Sequence, residues 1–331
     1  MLRARLPVLA VCAVRTGAGK SPASQWIVQE LRKRGWRVSV LRHPMPYGDL
    51  AKQAVQRFAS REDLDVAETT IEEREEYEPY VRIGVPVYAG VDYEPILRMA
   101  EKTADVLLWD GGNNDFPFVR PDLLVTLVDP LRPGHEVAYH PGETNLRMAD
   151  VVLISKASSA APDAMATVRR NIAQANPKAE VIEGDLVPTV DWPELVRGKR
   201  VLIVGDGPTL THGGMPHGAG TLIARELGAT IVAPRSVALG ELRETLARFP
   251  HIDSELPAMG YSQGQLDDLK ATLEHAGDAV IVDASPVDLG RLLSIAQPMV
   301  NVTYGFRERD GGLTRALDRF EQKHLQRRKT V

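Results

Sequence analysis

Residues 7–21 read PVLAVCAVRTGAGKS, eight apolar residues running straight into a short turn that ends in Gly-Lys-Ser. A run that is apolar on both faces predicts a strand buried in a parallel sheet. The stretch 20–34, with Trp26, Ile27, Val28 and Leu31 among polar positions, predicts the helix that follows. A strand–loop–helix junction carrying Gly19, Lys20 and Ser21 is the end of a phosphate-binding loop. Gly17 and Gly19 let backbone N–H groups turn onto phosphate oxygens, Lys20 reaches the β and γ phosphates, and the Ser21 hydroxyl can ligate Mg²⁺. The helix N-terminus adds its positive dipole. Thr16 and Ala18 complete the expected nucleotide cradle. One position departs from the pattern GxxxxGK[ST]: its first glycine is Val14 here. Arg15 stands where one subclass of such loops has an extra cation, which could stabilise charge during phosphoryl transfer.

Outward from this junction, further apolar runs occur at 37–41, 105–109, 123–128 and 151–155, with helical segments between them. Strands alternating with helices predict an α/β fold with a doubly wound, mostly parallel sheet of the P-loop NTPase type. Two prolines within 187–198 break the pattern, and a second cycle begins at 200–204. It continues through strands at 230–233, 279–283 and 299–304 and helices at 219–227, 240–248, 263–275 and 287–295. The expected organisation is a P-loop nucleotide-binding domain over 1–190, a smaller Rossmann-like α/β domain over 198–325 with anion or substrate contacts, and a basic tail over 326–331. The acidic segment 61–79 (Glu72, Glu73, Glu75, Glu76, Glu78) reads as a solvated helix face or an insertion.

Composition excludes several classes. Lys+Arg 40 against Asp+Glu 44 gives a net charge of −4, without the basic excess that nucleic-acid coats and anionic-membrane binders need. Cys12 is the single cysteine, which rules out an intrachain disulfide or a four-cysteine zinc site. No apolar run approaches the ~18 residues of a membrane span. The expectation is a soluble cytoplasmic protein acting on a small molecule, with no nucleic-acid or membrane partner and with a homodimer left open.

The run DVLLWD (105–110) is an apolar strand ending in an acid, so Asp110 is expected to hold Mg²⁺ directly or through water. Asn113, Asn114 and Asp115 follow at the carboxyl end of that strand and are candidates to orient an acceptor or a water. Guanine-reading loops end in Asn-Lys-x-Asp, but here the equivalent is Ser-Lys-Ala-Ser (155–158). Lys156 could still stack on a purine, while the carboxylate that pairs with guanine is missing, which favours ATP over GTP.

Cationic side chains crowd the loops after strands: Arg42 and His43, then Arg132, His135, His140 and Arg147, then His212 and His217 in a second glycine-rich loop before a helix. Three readings stay open for them. They could hold a phosphorylated small substrate, form a metal site with Asp206 or Glu143, or satisfy turns.

The strings AVRTGAGKS (13–21), VLRHPMPYGDLAKQAVQRFA (40–59), TIEEREEYEP (70–79), VYAGVDYE (87–94), LLWDGGNNDFPF (107–118), DPLRPGHE (129–136), HPGETNLRMADVV (140–152), DGPTLTHGGMPHGAG (206–220) and PAMGYS (257–262) resemble the cyclic 2,3-diphosphoglycerate synthetase family. Its members are P-loop proteins often described as GTPase-like. The resemblance covers nearly the whole chain. It implies ATP-driven phosphorylation of 2,3-bisphosphoglycerate and intramolecular ring closure, releasing ADP and phosphate, with Mg²⁺ required and K⁺ a usual helper. Arg15, Lys20, Asp110, Asn113, Asn114 and Asp115 would then be catalytic, and the cationic loops would bind the polyanion. Members also carry a Rossmann-like domain before the P-loop, so the resemblance implies a short or truncated member. A P-loop hydrolase working as a switch or sensor, or the same chemistry on another phosphorylated small molecule, are the alternatives.

Overall fold

The computed structural model describes residues 1–45, 48–259, 262–285 and 287–325, so the tail at 326–331 lies outside the described residues. The chain divides into two compact units. The first comprises residues 1–63, 80–186 and the chain from Phe306 onward; the second comprises residues 64–79 and 187–305.

The first unit holds a mostly parallel sheet of β1 (Val8–Ala13), β2 (Val38–Leu41), β3 (Gln56–Phe58), β4 (Val87–Ala89), β5 (Val106–Asp110), β6 (Leu123–Val128), β7 (Val151–Ile154) and residues 180–186 of β8 (Glu180–Val190). The spatial order is β8-β7-β6-β1-β5-β2-β4-β3, with β3 antiparallel to β4. All six residues of β1 are buried, as expected for a strand covered on both faces. On one face Val8, Ala10 and Cys12 join Leu107, Trp109 and Ile96 in a core. A separate cluster joins Val128, Val152, Ile154, Val168 and Ile172. Strand order reverses at β1, which lies between β5 and β6. Ligands in such sheets bind beyond the carboxyl ends of the strands at this reversal, where the loop of residues 15–19 begins.

The second unit holds β9 (Arg200–Gly205), β10 (Thr230–Ile231), β11 (Leu256–Pro257), β12 (Val280–Ala284) and residues 299–305 of β13 (Met299–Glu308). The order β10-β9-β12-β13 is parallel where registered, and β11 pairs in parallel with the end of β9 at Val204 and Gly205. Leu202, Val204 and Ile281 face one core, while Val201, Ile203, Val280 and Val282 face the other.

Two boundaries differ from the sequence reading. The stretch from Phe306, with the helix Gly312–His324, clusters with the first unit. There Arg34 pairs with Asp318 at 2.7 Å and Trp36 donates to Glu321 at 3.1 Å. The acidic segment is a second difference. It forms the helices Arg61–Val66 and Ile71–Arg82, and Glu73, Glu75 and Glu78 are buried. Ile71 enters the core of the second unit. The helix start carries a capping box: Thr70 N–H donates to Glu73, and Glu73 N–H donates back to the Thr70 hydroxyl.

Candidate active site

Val14 does not open the phosphate loop. Its N–H bonds Leu127 O at 3.0 Å, so it extends the β1 ladder, and the turn starts at Arg15. Gly142 packs against it so closely that a Cβ there would stand 2.2 Å from Val14 O. The turn needs its two glycines. Gly17 has φ +81° and Gly19, which caps the helix Lys20–Lys33, has φ +87°. That left-handed region costs an L side chain roughly 1–2 kcal/mol, and a Cβ on Gly19 would also meet Leu186 at 2.7 Å.

Ser155 and Lys156 hold this turn from behind. The Ser155 hydroxyl donates to Ala18 O and Lys156 Nζ donates to Gly17 O, both at 2.6 Å. In a trans peptide the N–H points opposite its carbonyl. Pinning these two carbonyls therefore turns the N–H groups of Ala18 and Gly19 away from Ser155 and Lys156, as an anion cradle requires. Lys156 also pairs with Asp129 at 2.9 Å. It is thus a brace for the loop, where the sequence placed it on a purine ring. Ser158, in the position of the missing guanine-reading carboxylate, is held by Asp185 through its N–H and hydroxyl at 2.7 and 2.8 Å.

Asp110, at the end of β5, is fully buried and is surrounded by donors. Lys20 Nζ at 2.7 Å and the Ser24 hydroxyl at 3.0 Å reach Oδ1. The Tyr80 hydroxyl at 2.8 Å and Arg42 Nη1 at 2.9 Å reach Oδ2. Burial alone would raise the pKa of this carboxyl, but Lys20, Arg42 and the hydrogen bonds hold it well below the usual range. Both Asp110 oxygens are engaged by the protein's own Lys20, Ser24 and Tyr80, with Arg42 beside them. Asp110 anchors Lys20 and lies 2.9 Å from Arg42. The Ser21 hydroxyl has no side-chain partner among the described residues and fits the serine ligand of Mg²⁺, which otherwise keeps waters and phosphate oxygens.

On the other flank, Arg15 Nη1 lies 2.6 Å from His135 Nδ1, and Arg132 pairs with Asp129 at 3.3 Å. Burial, then Arg15 and Arg132, lower the His135 pKa, and burial lowers that of Lys156. This group of Arg15, Arg132, Lys156 and His135 meets Asp129, leaving a positive balance suited to phosphate. Thr16 donates to Asn113 at 3.0 Å, and Asp115 takes Gly112 N–H at 2.7 Å and faces His43 at 3.0 Å. Asn145 Nδ2 fixes the Asp115 carbonyl at 2.9 Å.

Other candidates stand apart. Arg147 is exposed on the helix Gly142–Met148 and pairs with Glu143 and Ala175 O. Asn114 is exposed, and the exposed His140 has its ring edge against Phe116. His212 and His217 belong to the second unit, where His212 meets Thr211 and His217 faces Asp253. No group of three or more described His, Cys, Asp or Glu residues is arranged to hold a metal.

Sequence reasoning missed Tyr80, Ser24, Asp129, Ser155 and Gly142. Ser24 lies one helical turn from Lys20, a legible spacing. Tyr80 carries no local signal, because tertiary packing alone brings it to Asp110.

No protein-family model matches the chain. The sequence is 55% identical over 309 residues to arginine synthetase ArcE of Thermococcus kodakarensis, covering 93% of this chain and 69% of that protein. It is 31% identical over 256 residues to the tetraacyldisaccharide 4′-kinase of Anaeromyxobacter sp., covering 71% of this chain and 64% of the kinase. Among solved structures, LpxK from Aquifex aeolicus in complex with ATP superposes with a TM-score of 0.55 at 12% identity over 97% of this chain and 90% of that one, a likeness of fold. No described helix is long and apolar enough to cross a membrane.

Proposed function

Because the chain belongs to the family of the arginine synthetase ArcE, we propose that it is an ATP- and Mg²⁺-dependent ligase that makes a guanidinium product. A guanidinium can be built from a ureido group once the ureido oxygen has become a phosphate leaving group. ATP transfers its γ-phosphoryl to that oxygen, ammonia adds at the carbon, and phosphate leaves with the oxygen, giving the guanidinium, ADP and phosphate. Apart from a nucleophile that the acceptor pool supplies, this chemistry asks the protein for positioning and charge neutralisation.

The observation that carries the reading is the Lys20–Asp110 pair at 2.7 Å inside a glycine turn whose carbonyls are pinned outward. Gly17, Ala18, Gly19, Lys20 and Ser21 would bind the triphosphate, with Thr16 and Asn113 closing one side. Arg15, Arg132 and His135 would neutralise charge on the phosphoryl group in transfer. Asp115 and His43 would orient the acceptor. Bound Mg²⁺, held by Ser21 and the nucleotide, would draw charge from the phosphate oxygens.

A second reading is phosphorylation of 2,3-bisphosphoglycerate with ring closure, as the sequence resemblance implies. The positive balance of Arg15, Arg132, Lys156 and His135 around Asp129 favours a phosphorylated acceptor.

The test is ADP release with ATP, Mg²⁺ and K⁺, with no acceptor, with the ureido analogue of arginine plus ammonium, and with 2,3-bisphosphoglycerate. GTP is run in parallel. Release that depends on ureido acceptor and ammonium together supports the first reading; release that depends on the bisphosphate replaces it with the second. Release unchanged by either acceptor overturns both and leaves a nucleotide hydrolase.

A further inference from the structure

Arg15 opens the glycine turn, and its guanidinium is held at two points. Nε donates to Thr16 O at 3.0 Å, and Nη1 lies 2.6 Å from His135 Nδ1. The second contact fixes a protonation state. A guanidinium has donors and no acceptor, so Nδ1 must offer a lone pair. The imidazole is then neutral, with its proton on Nε2.

The ring is set in place by its own loop. His135 starts a short 3-10 turn, His135–Val137, behind Gly134, whose φ of +95° suits glycine. The His135 N–H donates to Arg132 O at 3.2 Å, and the ring stands edge-on to Tyr139 at 5.1 Å. The neighbouring Glu136 is buried and accepts on both oxygens, from the Gly134 N–H at 2.9 Å and from Asn171 of the helix Pro162–Ala175 at 2.6 Å. Asp129 is shared by Arg132 at 3.3 Å and Lys156 at 2.9 Å. Arg15, Arg132, Asp129 and Glu136 are the charged groups that act on the ring. Burial and the two arginines outweigh the two acids and keep its pKa below the ordinary imidazole value. An acceptor without charge orients a guanidinium and leaves its positive charge to a phosphoryl group.

We infer that His135 is the positioning residue of Arg15: its neutral imidazole holds the guanidinium at the start of the glycine turn for phosphoryl transfer, and protonation of Nδ1 releases it. The role in transfer rests on the phosphoryl-transfer reading above; the pairing rests on the 2.6 Å contact.

Two measurements on the full chain test this. Nitrogen-15 NMR of the nucleotide-free protein reads the tautomer, with the His135 signals assigned by their loss in His135→Asn. A neutral ring protonated on Nε2 at pH 8 is expected, and a ring carrying a proton on Nδ1 overturns the pair. ADP release, under whichever acceptor condition supports it, is then compared in wild type, Arg15→Ala, His135→Ala, His135→Asn and His135→Asp, with thermal melting to check that each variant folds. An Asn oxygen stands near the place of Nδ1 without charge, and an Asp oxygen stands there with one. His135→Ala should lose kcat by roughly tenfold to hundredfold, toward the level of Arg15→Ala, with KM for ATP little changed, the scale of a group misplaced by about an ångström. His135→Asn should recover most of that loss, and His135→Asp should not. Wild-type kcat should fall as pH drops below the imidazole value of about 6.5, and the His135→Asn profile should lack that limb. His135→Ala with wild-type kcat, or His135→Asp as active as His135→Asn, overturns the role. No ADP release from the wild type under any condition removes the phosphoryl-transfer reading and the role with it, while the NMR result still decides the pair.

Discussion

Replacing Asp110 by Asn perturbs a buried carboxylate that joins the glycine turn to the rest of its unit. Three hydrogen-bond donors, Lys20 among them, converge on it, and a second cation, Arg42, pairs with it at 2.9 Å. Removing one partner of a buried ion pair costs about 3–5 kcal/mol, because the other charge stays buried and unpaired. The two cations differ in this respect. The Lys20 side chain is 12% exposed and can turn outward, whereas that of Arg42 is 1% exposed and cannot. The stranded charge is mainly Arg42, so the cost falls near the lower end, about 3 kcal/mol. At about 2–4 °C per kcal/mol for a unit of this size, the melting temperature should fall by roughly 6–12 °C. Because the Asp110 pKa is depressed in the folded protein, its stabilisation is present above the unfolded carboxylate value of about 4 and is lost as pH falls below it. The gap between wild type and variant should therefore narrow in acid. Without Mg²⁺, ATP should bind the variant at least as tightly, since Lys20 no longer has to leave a carboxylate. Paired urea melts at pH 7 and pH 3 and ATP titrations read all three effects. A variant as stable as wild type at pH 7, or a gap that widens in acid, would refute the reasoning.

Lys20→Ala should abolish nucleotide turnover while leaving the fold intact, because Arg42 still neutralises Asp110; circular dichroism and an ADP assay check both halves. Gly142→Ala places a Cβ 2.2 Å from the Val14 carbonyl, so it should displace the entry to the phosphate loop, weaken ATP binding at least tenfold and lower stability by about 2 kcal/mol, of the order of core overpacking. Glu75→Gln should stabilise the protein at neutral pH. The Glu75 pKa is raised on folding by burial and by Asp206, Glu76, Glu72 and Asp283, so the wild type loses stability as pH rises above the unfolded value near 4.3. Melting curves of the two proteins should converge toward pH 4, and a constant offset would contradict this.

Much of the fold was legible because parallel strands buried on both faces leave unbroken apolar runs, as in residues 8–13, 123–128 and 200–205. The short edge strands Gln56–Phe58 and Val87–Ala89 carry too little pattern to stand out. The strand–turn–helix junction at residues 15–19 was legible because Gly17 and Gly19 stand between an apolar run and a helical one. The acidic segment misled because charge usually marks solvent. Here tertiary packing buries Glu75 among other acids, and no local pattern announces that. The second glycine loop misled for a related reason: Glu255, about 40 residues further on, fills the helix end that the loop would otherwise offer to an anion. Lys156 was singled out as a cation, but its partners Gly17 O and Asp129 are distant in sequence and carry no local signal.

The most direct measurement of the proposed reaction follows one oxygen atom. The protein is incubated with ATP, Mg²⁺, ammonium and the ureido analogue of arginine labelled with ¹⁸O at the ureido oxygen, and the released phosphate is examined by ³¹P NMR. Phosphoryl activation of that oxygen predicts phosphate carrying one ¹⁸O for each arginine formed. Arginine formed with unlabelled phosphate, or ADP formed with no arginine, would contradict it.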